Sequence, residues 1–120
     1  MARRILVAED DSEIRQALLD MLEFSDYDVR TVANGAEALA MLAEWLPDAI
    51  VLDMLMPEMD GPTFLQKLHA DETHARIPIV LLSALRDLQT RSAGLPVASI
   101  VAKPFDVDDL LLALDRLWES

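Results

Sequence analysis

Two hydrophobic rhythms alternate along the chain. Short apolar runs read as strands, "RILVAE" (4–9), "DAIVLD" (48–53), "IPIVLLSA" (77–84) and "ASIVAK" (98–103), and "YDVRTV" (27–32) alternates polar and apolar residues like a strand. After each, apolar residues recur at helical spacing. Ile14, Ala17, Leu18, Met21 and Leu22 share one helix face, and Asp11 or Ser12 can cap its start. Further helices are predicted over 34–45, stopped by Pro47, and over 61–70, opened by Gly61 and Pro62. A short one over 85–94 ends at Gly94, and a last one spans 106–118 with Val107, Leu110, Leu111, Leu114 and Leu117 inward.

Five strand–helix units in alternation predict an α/β doubly wound (βα)5 fold, an open parallel sheet with helices on both faces. The run Ile79–Leu82 has no polar face, which suits a strand buried on both sides. Parallel crossovers are right-handed, so few topologies remain. In such sheets the ligand site lies beyond the carboxyl ends of the strands.

Polar residues gather at those predicted ends. Glu9, Asp10 and Asp11 follow the first strand, Asp53 ends the third, Ser83 lies at the end of the fourth and Lys103 ends the fifth. Singly, each has a plain explanation: a helix cap, an Asx turn, a satisfied hydroxyl, a solvated ammonium. Together they suggest one site, because independent turn residues need not share a sheet edge. Clustered carboxylates repel, and so demand protons or a cation. A carboxylate can be the nucleophile that forms an aspartyl phosphate, with a metal, a lysine and a hydroxyl serving the phosphoryl oxygens. Asp53 fits the nucleophile, Glu9 and Asp10 fit a metal such as Mg²⁺, and Ser83 and Lys103 fit the phosphoryl oxygens. No P-loop or GxGxxG pattern is present.

Composition narrows the classes. The chain of 120 residues is 52% apolar with three glycines, enough for one domain with a real core over 1–120. The absence of cysteine excludes disulfides and thiolate zinc sites. No apolar run approaches the roughly 20 residues that span a bilayer, and the N-terminus does not read as a signal peptide. A cytoplasmic location without membrane contact is expected. A net charge of −12 disfavours direct nucleic-acid binding, which is led by Lys and Arg.

These motifs resemble those of the bacterial response-regulator receiver domain, the CheY-like fold of two-component signalling. "ILVAEDD" (5–11) resembles the family's first strand and acidic pair, and "LDMLMPEMDG" (52–61) its phosphorylation-site signature. "PIVLLSA" (78–84) resembles the fourth strand with its Ser/Thr, and "KPF" (103–105) the lysine–proline–aromatic segment. The resemblance implies strand order 2-1-3-4-5 of the flavodoxin/CheY-like type and a cis Lys103–Pro104 bond. It implies phosphoryl transfer to Asp53 from a sensor histidine kinase or phosphotransfer protein. Mg²⁺ would be held by Asp10, Asp53 and the Leu55 backbone carbonyl, with Glu9 acting mainly through water. Ser83 and Lys103 would bind the phosphoryl oxygens, and small Ala84 would leave them room. Such a chain is a signalling phosphoacceptor, not an enzyme turning over a separate substrate. It acts on a downstream protein target, and homodimer formation is possible. No output domain is expected after the last helix.

Some positions depart from the family pattern. Ile100 stands three residues before Lys103, where the family usually has Tyr or Phe, and "AGLPVAS" (93–99) departs from its usual "GAD" stretch. This implies either drift at an edge strand, or an altered switch or unusual partner at the output surface that the resemblance places on the fourth helix, fifth strand and fifth helix. Leu55 and Leu85, each two residues beyond a site residue, are apolar where the attacking water passes, so a long-lived phosphoryl group is expected. His69 and His74 are expected to be exposed, Met56 and Met59 to pack, and Trp118 to pack or make a dimer contact. Other readings are a receiver-like interaction module that does not switch, a haloacid-dehalogenase-type phosphatase and a flavodoxin-type FMN protein. Leu55, where the phosphatases carry a second Asp, argues against the phosphatase. The lack of a phosphate-cradling loop after the first strand argues against the FMN protein.

Overall fold

The computed structural model describes residues 2–56, 58–84 and 96–119. The strands are β1 (Arg4–Ala8), β2 (Asp28–Val32), β3 (Ala49–Asp53), β4 (Ile79–Ala84) and β5 (Ser99–Lys103). The helices are α1 (Ser12–Phe24), α2 (Gly35–Leu42), α3 (Gly61–His69) and α4 (Val107–Leu117). The predicted helix over 85–94, with Leu85, lies outside the described residues. The sheet runs β2-β1-β3-β4-β5, every pair parallel, as the resemblance implied.

Alternation within the strands builds two cores. Leu6, Ile50, Leu52, Ile79 and Leu81 face α2 and α3, where Ala38, Phe64, Leu65 and Leu68 meet them. Ile5, Val7, Val51, Val80 and Leu82 face α1 and α4, against Leu18, Leu22, Leu110 and Leu114. Burying each of the larger side chains among these stabilises the fold by about 1.5–3 kcal/mol before entropy is counted. β3 and β4 are therefore apolar on both faces, and their polar side chains, Asp53 and Ser83, lie at their carboxyl ends.

Short polar side chains start the helices. Asp11 caps α1, its Oδ1 accepting from the Glu13 and Ile14 amides at 2.9 and 3.2 Å. Asn34 caps α2 by accepting from Glu37 N, and Asp60 caps α3 by accepting from Thr63 N. At α4 the Asp109 carboxylate accepts from the Asp106 amide at 3.2 Å. Each cap of this kind is worth about 1 kcal/mol. The helix predicted over 34–45 stops at Leu42, and Trp45 turns back into the core.

Other expectations resolve by packing. Met56 is buried and Met59 packs on the α2–α3 core. Trp118 packs within the chain, its Nε1 donating to Tyr27 Oη at 2.9 Å and its ring lying under the Arg3 guanidinium. Val107, expected inward, is instead exposed, standing in the first turn of α4 at the rim of an open groove with Ile14 and Phe105. The two histidines are half-buried rather than exposed. His69 Nδ1 donates to Leu65 O at 2.8 Å, and His74 Nδ1 lies 3.0 Å from Asp71 Oδ2.

Candidate functional site

All five strands point the same way, so their carboxyl ends share one edge of the sheet. Asp53 is the last residue of β3 and is buried. Glu9 follows β1 and is 1% exposed, while Asp10 beside it is open to solvent. One carboxylate oxygen from each of Glu9, Asp10 and Asp53 lies within 4.8 Å of the others. Lys103, the last residue of β5, reaches over the end of β4 and places Nζ 2.8 Å from Asp53 Oδ1 and 3.7 Å from Glu9 Oε2. The Lys103–Pro104 bond is cis, as the resemblance implied.

The loop after β3 closes the site. Leu55 N donates to Asp53 Oδ1 at 3.4 Å, and Gly61 N donates to Met54 O at 3.0 Å. A Cβ on residue 61 would stand 3.1 Å from Met54 O and 3.2 Å from Asp53 O, so glycine lets the loop fold back onto the end of β3. Glu58 in that loop has φ 65°, a left-handed conformation costly for a residue with a side chain. The resulting open cleft, about 240 Å³, is walled by Glu9, Asp10, Asp53, Leu55, Ala84 and Lys103, among others.

Ser83, at the end of β4, is fully buried just beneath the cleft wall. Its Oγ donates to Ala84 O at a long 3.4 Å. Ala84 itself is in the wall, and its small side chain leaves the cleft open there. The structure thus gathers Glu9, Asp10, Asp53, Leu55, Ser83 and Lys103 at one edge. Arg15 was not singled out from the sequence. Its Nη1 donates to the backbone carbonyls of Glu9 and Asp10, and a basic residue in the first turn after the acidic run is the only sequence signal for it.

The electrostatics follow from burial. Glu9 is pushed up to about 8, first by desolvation, then by the Asp53 carboxylate, against the lowering influence of Lys103. Burial alone would lower the Lys103 ammonium, but the hydrogen bond and charge of Asp53, with Glu9 and Asp10, hold it above its ordinary value. Glu9 Oε2 is buried without a hydrogen-bond partner among the described residues. A buried acceptor in that condition, beside two more carboxylates, suits an oxygen-seeking cation such as Mg²⁺.

A family model for the response regulator receiver domain matches residues 5–115. The chain belongs to the response regulator receiver family. It is 38% identical over 119 residues to the response regulator MprA of Mycobacterium bovis (strain BCG / Pasteur 1173P2), covering 98% of this chain and 51% of that protein. The receiver therefore spans about half the length of such curated relatives. Its fold is similar to the signal receiver domain of a histidine kinase from Syntrophus aciditrophicus, with TM-score 0.90 and 34% identity over 97% of this chain and 89% of that one. It is also similar to the receiver domain of the sensor histidine kinase PA1611 from Pseudomonas aeruginosa PAO1, with TM-score 0.89, 29% identity and 98% of each chain covered. That receiver holds a magnesium ion in its active-site cleft. The acidic cluster of Glu9, Asp10 and Asp53 is typical of a magnesium-binding receiver site. A receiver is a signalling phosphoacceptor rather than an enzyme in the ordinary sense. Among the described residues, no helix is long and apolar enough to cross a membrane.

Proposed function

We propose that Asp53 accepts a phosphoryl group from a phosphohistidine of a sensor histidine kinase or phosphotransfer protein, in a Mg²⁺-dependent reaction. The observation that carries this is the Lys103 ammonium 2.8 Å from Asp53 Oδ1 inside a cluster of three carboxylates. Asp10, Asp53 and the Leu55 carbonyl would hold the ion, with Glu9 acting mainly through water. Magnesium, when bound, supplies positive charge for the phosphoryl oxygens.

The chain's own groups do the rest. An Asp53 carboxylate oxygen forms the new P–O bond as the donor's P–N bond breaks. The donor imidazole leaves as the neutral ring, its other nitrogen keeping a proton. Lys103 moves from Asp53 Oδ1 to the incoming phosphoryl oxygens, and the Ser83 hydroxyl turns from Ala84 O to donate to them. Ala84 leaves the room this requires. The apolar groove beside the cleft, walled by Ile14, Ala17, Met21, Phe105 and Val107, is continuous with Lys103 through Ile14 and Phe105 and gives the donor protein a place to lie. A net charge of −12 supports protein rather than nucleic-acid partners. We read residues 1–120 as one such domain, switching toward a downstream protein or a second copy of itself a surface made of β5, α4 and the helix expected over 85–94, which lies outside the described residues.

The test is intact mass after incubation with Mg²⁺ and acetyl phosphate. One added phosphoryl group on the wild type, lost in Asp53→Asn and with EDTA, supports the reading. No adduct there or with a panel of phosphorylated kinases favours a receiver fold kept as an interaction module.

A further inference from the structure

We propose that Arg15 is a positioning residue for the acidic cleft, fixing the backbone that carries Glu9 and Asp10. The proposal rests on the magnesium reading above, which its test separates from it. The ladder of β1 ends at Ala8, and the last bond along that path is Glu9 N to Val32 O at 3.1 Å. Past this point the sheet no longer sets the orientation of the peptides. Yet Asp10, exposed and beyond the strand, must aim its carboxylate at the same point as Asp53.

Arg15 supplies the missing constraint. It sits in the first turn of α1, its own amide donating to Asp11 O at 2.8 Å. Its guanidinium folds back along the loop, and one nitrogen, Nη1, donates to both Glu9 O at 2.9 Å and Asp10 O at 3.2 Å. Two successive carbonyls turned to one donor fix the peptides on either side of Asp10, and with them the direction of its side chain. The cleft wall includes Ile14 and Asp11, the residues that flank this bridge. Arg15 therefore acts on the acids through their backbone.

Charge and geometry predict opposite signs. A cation near an acidic cluster opposes Mg²⁺, so removing the charge alone would tighten metal binding. Losing the bridge lets Asp10 wander and weakens it. Arg15→Met keeps the apolar stem and removes every donor. Arg15→Lys keeps the charge but replaces the planar fork with a point donor. Arg76→Met makes the same charge change before β4, at the amino end of the sheet and away from the site.

The experiment is Mg²⁺ titration by calorimetry of these chains, with amide hydrogen exchange of the metal-free proteins read at residues 9–11. Arg15→Met is expected to weaken Mg²⁺ about tenfold, as loss of a supporting contact does, with faster exchange at Asp10 and Asp11 and unchanged exchange in β3 and β4. Arg15→Lys should recover part of the affinity, and Arg76→Met should stay within about twofold, as expected of a distant, screened charge. Affinity unchanged or tightened in Arg15→Met, or fully restored in Arg15→Lys, overturns the proposal. If Arg15→Met does not fold, Arg15→Lys decides: wild-type affinity and wild-type exchange overturn it. A wild type that does not saturate with Mg²⁺ sinks the magnesium reading, and the metal-free exchange arm then decides Arg15 alone.

Discussion

Lys103 Nζ lies 2.8 Å from Asp53 Oδ1 across 50 residues of chain and one intervening strand. The pair exists because β3, β4 and β5 end at one edge and the lysine stem is long enough to pass β4. It also explains how Asp53 remains buried next to two other acids. The ammonium offsets repulsion that the carboxylates would otherwise feel in a poorly solvated corner.

Lys103→Met is expected to reduce phosphoryl uptake from acetyl phosphate by about 100-fold, because a preorganised cation at developing charge is worth several kcal/mol. Magnesium binding should persist, since the carboxylates remain. Lys103→Arg should restore little, because a planar guanidinium does not replace a compact ammonium. Uptake within twofold of wild type in Lys103→Met would remove the lysine from the reaction.

Glu9 makes the metal-free protein sensitive to base. Its folded pKa of about 8 exceeds the ordinary glutamate value of 4.5, so between those limits the native state holds a proton that the unfolded chain releases. Stability must then fall as pH rises across that window and level off above it. Glu9→Gln cannot ionise and should flatten the slope, giving the higher Tm at pH 8.5 without metal. Parallel thermal melts of wild type and variant from pH 5 to pH 9 in EDTA check the sign.

Leu55 stands in the cleft wall and is 38% exposed, placing an apolar side chain where water would approach phosphoryl-Asp53. The adduct is expected to last well beyond seconds in Mg²⁺ buffer. Leu55→Asn offers a polar group that can orient water, and should shorten the lifetime about tenfold, less than the roughly 100-fold or more of a true general base because an amide takes no proton. Loss of wild-type phosphate within seconds would contradict this.

Ile100 lies on edge strand β5, 37% exposed, beside Leu112 and Arg116 of α4. An isoleucine there has no hydroxyl to carry a hydrogen bond inward. Phosphorylation is therefore expected to shift amide NMR signals around Ile100, over residues 99–101, less than those around Asp53 and Lys103. Equal shifts at both places would show that the output surface switches without an aromatic residue.

The strand ends show how far the primary sequence reaches. Strand patterns identify β1 to β5 to within one or two residues, because β3 and β4, buried on both faces, must be apolar almost throughout, while edge strand β2 alternates buried and exposed positions. Polar residues that break such runs are correspondingly visible, which is why Glu9, Asp53, Ser83 and Lys103 stand out. The α1 cap was legible too, since Asp11 acts on amides two and three residues away. The fate of His74 was not, because its half-buried position depends on how the loop after α3 packs.

Linear order thus determined the periodicities, the helix starts and the inventory of groups at one sheet edge. Only the tertiary structure decided that Glu9 is buried while its neighbour Asp10 is open, that Lys103 chooses Asp53, and that Arg15 turns back to the acid-bearing carbonyls. Burial and pairing depend on distances between segments remote in sequence. No local pattern encodes those distances, and they follow from strand order and register in the folded sheet.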